Sequence, residues 1–185
     1  VIIDVDPQTR DLTVMEVAVV SNTTDRTLIA RPGDQPGGGR TLWFALPSGA
    51  LHPDVGEGLD RVPVADGADG LAYSGPVLPG KRQVVYSYML ANPGPSFAIS
   101  KVLSYPTGRL NVIMADVGQK VSGPKLSTKE AVNIKDKGYI FMSGESFGAG
   151  ESLGLEVANF PGPSTGGQGL SSSGHGRWLV LPLLG

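Results

Sequence analysis

The strongest constraint on this chain is a period-two alternation of apolar and polar residues, cut at short intervals by glycine and proline. In "RQVVYSYML", Val84, Tyr86, Tyr88 and Leu90 share one face and Gln83 and Ser87 the other. In "SLGLEVANF", Leu153, Leu155 and Val157 oppose Gly154, Glu156 and Ala158. "SFAISKVLSY" sets Phe97, Ile99, Leu103 and Tyr105 on one side, interrupted only by Lys101. Alternation of this kind buries one face of an extended strand, whereas helical spacing free of Gly and Pro hardly occurs. The 27 Gly and 15 Pro of 185 residues supply the punctuation, and charged residues are only 17%, against about a quarter in ordinary soluble domains.

Strands are expected at "DLTVMEVAVVS", "RTLIA", "TLWFALP", "GLAYSG", "RLNVIMAD", "EAVNIK" and "GYIFMS" besides the three segments above. "SNTTDRT" and "IKDKGY" read as hairpin connections, the second with Gly138 available for a left-handed position. "VLPGKRQ" carries the Pro-Gly of a type II turn. About nine to eleven short strands separated by turns predict an all-β fold, an immunoglobulin-like antiparallel β-sandwich, over residues 1–160. The opening "VIIDVD" is apolar and strand-like with no basic stretch before it, which reads as a mature or trimmed chain.

Composition changes after Phe160. Residues 161–176, "PGPSTGGQGLSSSGHG", hold twelve Gly, Ser or Pro among sixteen and read as a linker that cannot build a packed element. Residues 177–185, "RWLVLPLLG", place Arg177 and Trp178 before the apolar Leu179, Val180, Leu181, Leu183 and Leu184. A cation and an interfacial tryptophan often introduce a transmembrane helix. A span needs about 20 residues, so this segment reads as the start of a membrane helix or as a tail packed on a protein.

The formal net charge of -2, with Lys and Arg scattered, gives no footprint for nucleic acid. The chain has no cysteine, so disulfides and thiolate metal sites are excluded. Gly144-Glu145-Ser146-Phe147-Gly148 matches the G-x-S-x-G pattern of a serine hydrolase. That motif works on a strained strand-to-helix turn with its histidine later in the chain. Here "FGAGESLGLEV" predicts another strand through a hairpin, and the later histidine, His175, lies in the linker. No catalytic residue is assigned.

Metal readings are equally thin. His52 has Asp54 and Glu57 nearby, but one histidine beside a proline reads as a surface loop. Asp4, Asp6 and Asp11, and the pair Asp66 and Asp69, evoke calcium loops without their glycine and terminal glutamate, and read first as turn residues. No metal and no cofactor is expected. Asn22-Thr23-Thr24 fits the glycosylation pattern, which a turn explains as well. Gly37-Gly38-Gly39 precedes a strand and lacks the Lys-Ser/Thr of a phosphate loop.

Trp43 and Phe44 are adjacent in one strand and must point to opposite faces. With Tyr73 and Tyr105 they are the candidate contact residues, since a large exposed aromatic marks an interface or a sugar platform.

"LWFALPSGA", "LPGKRQVVYSYML" and "SYPTGRLNVIMAD", in this order, resemble a group of bacterial extracytoplasmic domains found in carboxypeptidase-regulatory-like and hypothetical proteins. The likeness runs from about Asp11 to Phe160. It implies a β-sandwich set before a Gly-rich linker and a membrane helix, and it carries no catalytic residues. The expectation is therefore a non-enzymatic interaction or structural module, anchored in the periplasm or on the outer face of the cytoplasmic membrane. Such a module suits an accessory subunit of a respiratory or photosynthetic membrane complex, with other membrane-complex proteins as partners. The alternative is a carbohydrate- or other ligand-binding sandwich.

Overall fold

A computed structural model describes residues 1–30, 39–59, 69–91, 94–128, 131–134 and 137–162. The described chain is all-β. Its strands are β1 (Ile2–Val5), β2 (Leu12–Asn22), β3 (Leu42–Ala45), β4 (Ala50–Glu57), β5 (Gly70–Tyr73), β6 (Gly80–Leu90) and β7 (Ser96–Val102). They continue with β8 (Thr107–Ala115), β9 (Lys120–Ser122), β10 (Ser127–Thr128), β11 (Val132–Ile134), β12 (Lys137–Phe147) and β13 (Ser152–Ala158).

One eight-stranded sheet runs β10-β12-β8-β1-β2-β6-β4, with β11 also on β12. A three-stranded sheet, β7-β13-β9, and the two-stranded β3-β5 complete the structure. All these pairings are antiparallel except β1 with β8. The smaller sheets lie over the large one: Phe44 on β3 stacks 5.3 Å from Tyr86 on β6, and β7 meets β2 through Lys101 and Glu16.

The alternation explains the core. The inward residues Leu12 and Val14 of β2, Val84, Tyr86, Tyr88 and Leu90 of β6, and Val112 and Met114 of β8 are all buried. They join Leu153, Leu155 and Val157 of β13 in one cluster. Each large aliphatic side chain fully buried there contributes about 1.5–3 kcal/mol. Phe160 closes the cluster at its C-terminal end, 5.4 Å from Phe97, and its N–H bonds to the Pro95 carbonyl at 2.9 Å.

The described residues alone form thirteen strands, against the nine to eleven expected. β4 escaped the sequence reading because its register shifts between Leu51 and Asp54 and again between Val55 and Glu57, and His52 adopts φ 50°. Bulges of this kind erase the period-two signal. The end of β4 needs a glycine: at Gly58, φ 86°, a Cβ would sit 1.9 Å from the Gln83 carbonyl oxygen. "RTLIA" contributes one isolated bridge, Leu28 to Val77, and no strand.

Two connections differ from the hairpins expected. β12 and β13 lie in different sheets, so the Gly148–Gly150 turn carries the chain from one layer to the other. "SNTTDRT" leads from β2 to the Leu28–Val77 bridge and not to an adjacent returning strand. The β11–β12 hairpin is present, with Ile134 opposite Lys137, but Gly138 is a strand residue paired with Asn133. Gly80 has the positive φ, 104°, that the type II turn requires.

Candidate functional site

Among the described residues β3 pairs with β5 alone. On its other edge, side chains take the place of a strand. The Trp43 N–H donates to the Tyr105 hydroxyl at 2.8 Å, and the Ala45 N–H donates to Ser104 Oγ at 3.2 Å. Satisfying an exposed edge in this way blocks pairing with another chain. It also draws the segment after β7 alongside β3, and the space between them is a groove of about 370 Å³ lined by Arg40, Thr41, Trp43, Val102, Ser104 and Tyr105. That volume lies at the lower end of the range for ligand sites.

The indole of Trp43 rests on the Gly70 backbone, where a Cβ would come within 2.5 Å of the ring. Arg40 lies over that indole, its guanidinium carbon 4.5 Å from the ring centroid. Among the described residues no carboxylate lies within ion-pair distance of Arg40. Thr41 has a buried hydroxyl without a hydrogen-bond partner among the described residues. The Tyr105 ring, still 39% exposed, packs edge-on against Phe44 at 6.3 Å.

The four aromatic candidates thus separate. Trp43 and Tyr105 meet at the groove. Phe44 and Tyr73 are core residues, 6% and 5% exposed, because their register places them on the inward face of β3 and β5. The Tyr73 hydroxyl donates to the Pro76 carbonyl at 3.3 Å and accepts from Arg82 Nη1 at 3.3 Å. Neither is available as an exposed platform.

Ser146 has φ 60° and is exposed near the end of β12, where Glu145 pairs with Arg109 at 2.8 Å. The turn that follows is closed by Glu151, whose carboxylate accepts the Gly148 N–H at 2.9 Å. It leads into β13 and not into a helix. His52, Asp54 and Glu57 are exposed on β4. Among the described residues no three His, Asp or Glu gather as a metal site.

Asp6 caps a turn, its Oδ1 accepting the N–H groups of Gln8 at 2.7 Å and Thr9 at 2.8 Å. Those backbone bonds hold its carboxyl below the usual carboxylate range. Asp4 accepts the N–H of Val5 at 2.9 Å. Asn22 is buried, and its amide donates to the carbonyls of Arg26 at 2.8 Å and Val77 at 3.1 Å, so its nitrogen is engaged inside the fold. Asp66, Gly37, Gly38 and the segment Arg177, Trp178, Leu179, Val180, Leu181, Leu183 and Leu184 lie outside the described residues, as do Ser171 and His175 of the linker.

Sequence reasoning passed over a buried polar cluster. Glu16 on β2 and Lys101 on β7 form an ion pair with side chains 9% and 8% exposed. The same carboxylate accepts from the Tyr86 hydroxyl at 2.8 Å and the Tyr88 hydroxyl at 2.9 Å, and Lys101 Nζ donates to the Tyr86 oxygen at 2.8 Å. Burial pushes the Lys101 amine down, opposed by the Glu16 charge. Burial and the same carboxylate push both phenols up. The adjoining cavity is only about 10 Å³, enough for a single water at most, so this cluster joins the two layers and offers no space to a substrate. The signal was a charge at an inward position: Glu16 follows Leu12 and Val14 in register, as Lys101 follows Phe97 and Ile99.

A second surface stands on the outer face of the large sheet. Phe141, Ile113, Ile2 and Met15 are neighbours in one row across β12, β8, β1 and β2. Val17, paired with Val85, and Val19 extend it along β2, 37% and 63% exposed. Comparison of the chain with protein families, with curated proteins and with solved structures finds no match.

Proposed function

We propose that this chain is a non-enzymatic interaction or structural module, an immunoglobulin-like sandwich held at the outer face of a bacterial cytoplasmic membrane as an accessory subunit of a larger complex. The observation that carries the reading is the apolar row Phe141–Ile113–Ile2–Met15 with Val17 and Val19 beside it. A sheet whose outer face faced only water would alternate polar residues there. A contiguous apolar strip fits the apolar surface of a partner protein.

Support for the membrane attachment is the Arg177-Trp178-apolar segment of the sequence; no helix among the described residues is long and apolar enough to cross a membrane. The test is purification of the tagged protein from detergent-solubilised native membranes. The expected result is a stoichiometric complex recovered with the wild type and lost with Val17→Lys/Val19→Lys, while circular dichroism of the variant is unchanged. Equal recovery with both proteins overturns the reading. Retention of the chain through a carbonate wash, and its loss on truncation after Gly176, tests the anchor.

A second reading, a carbohydrate- or other ligand-binding sandwich, is favoured by the groove at Trp43 and Tyr105.

A further inference from the structure

We propose that the groove between β3 and the segment after β7 binds an acidic saccharide, a hexuronate unit of a polymer, with its carboxylate on Arg40. The inference rests on the ligand-binding reading and narrows it. The lining is rich in donors. Ser104 Oγ and the Tyr105 oxygen already accept backbone N–H groups, and a hydroxyl engaged as acceptor keeps its own proton to give. Thr41 also lines the groove, its own hydroxyl buried and without a partner among the described residues. No acidic residue lines the groove among the described residues. A site of this kind selects a ligand rich in acceptor oxygens.

Arg40 decides the charge. Held over the Trp43 ring at 4.5 Å, it is pre-oriented and has no competing carboxylate among the described residues. A planar guanidinium fork matches a carboxylate bidentately. The exposed ring of Tyr105 and the aliphatic Val102, 39% and 45% exposed, supply apolar surface for the C–H face of a sugar ring. A groove of about 370 Å³ has room for one or two units of a chain.

The test is a chemical-shift titration of the ¹⁵N-labelled full chain with trigalacturonate, with neutral galactotriose and with inorganic phosphate. Trigalacturonate should move the amides of residues 40–45 and 104–105 and bind at least tenfold more tightly than galactotriose. Arg40→Gln should lose at least tenfold for trigalacturonate and abolish the preference over galactotriose, whereas Val19→Lys should affect neither. Equal binding of the acidic and neutral sugars overturns the carboxylate assignment and keeps the ligand-binding reading. Phosphate displacing trigalacturonate with equal affinity shows a bare anion site and overturns the saccharide. Binding of neither sugar sinks this inference and the ligand-binding reading together, and leaves the docking face untouched.

Discussion

Glu16 and Lys101, 85 residues apart in sequence, form a buried ion pair that links β2 in the large sheet to β7 in the layer above it. Tyr86 and Tyr88 complete the coordination of the carboxylate. Removing one partner leaves an uncompensated charge in the core. Lys101→Met or Glu16→Gln should each lower stability by about 3–5 kcal/mol, read as the urea midpoint at constant slope. The replacement Glu16→Leu/Lys101→Met/Tyr86→Phe/Tyr88→Phe removes every polar member at once and should recover most of that loss. A quadruple variant as unstable as the single ones would show that the cluster adds net stability beyond satisfying itself.

Alkaline stability should follow the two phenols. Their folded values lie above the ordinary 10.0, so above that pH the unfolded chain releases protons that the native state keeps, and stability falls. Lys101 acts in the opposite sense: its folded value lies below the ordinary 10.5, so between the two values the unfolded chain binds more protons and stability rises. Well above these ordinary values the two phenols contribute a limiting slope of about -3 kcal/mol per pH unit, from about 1.4 for each proton. Urea denaturation between pH 9 and 12 measures it. Tyr88→Phe should halve the slope, and the absorbance of tyrosinate should show a step that coincides with unfolding.

Gly70 seats the ring of Trp43, which lines the groove. A Cβ there would meet the Phe44 carbonyl oxygen at 2.5 Å and the Trp43 ring at 2.5 Å, so Gly70→Ala should displace the indole from the backbone and cost about 1–3 kcal/mol. In a Trp178→Phe background the remaining tryptophan reports directly: its emission should shift to the red. An unchanged spectrum would place the Trp43 ring away from Gly70.

Asn22 ties the end of β2 to the Leu28–Val77 bridge. Asn22→Ala leaves the Arg26 and Val77 carbonyls without these donors and should cost about 1–3 kcal/mol. Hydrogen exchange locates the effect: protection should fall first at Leu28 and Val77, whose N–H groups bond to each other's carbonyls at 2.9 and 2.8 Å.

What the sequence determined by itself is local. The alternation in β6, β7 and β13 assigns extended structure and separates the two faces, because side-chain direction in a strand follows parity alone. The same rule separated Trp43 from Phe44. Tertiary structure decided everything that depends on which strand lies beside which. Alternation is blind to partner choice, so a turn such as Gly148–Gly150 reads as a hairpin until the chain is seen to cross between layers. The bulges of β4 destroyed the parity signal outright. Lys101 read as an interruption and Glu16 drew no reading, since a charge facing inward has meaning only when its counter-charge arrives from the other sheet. The groove is of the same kind: Arg40 belongs to one segment and Ser104 and Tyr105 to another, and only the edge of β3, whose N–H groups needed acceptors, brought them together.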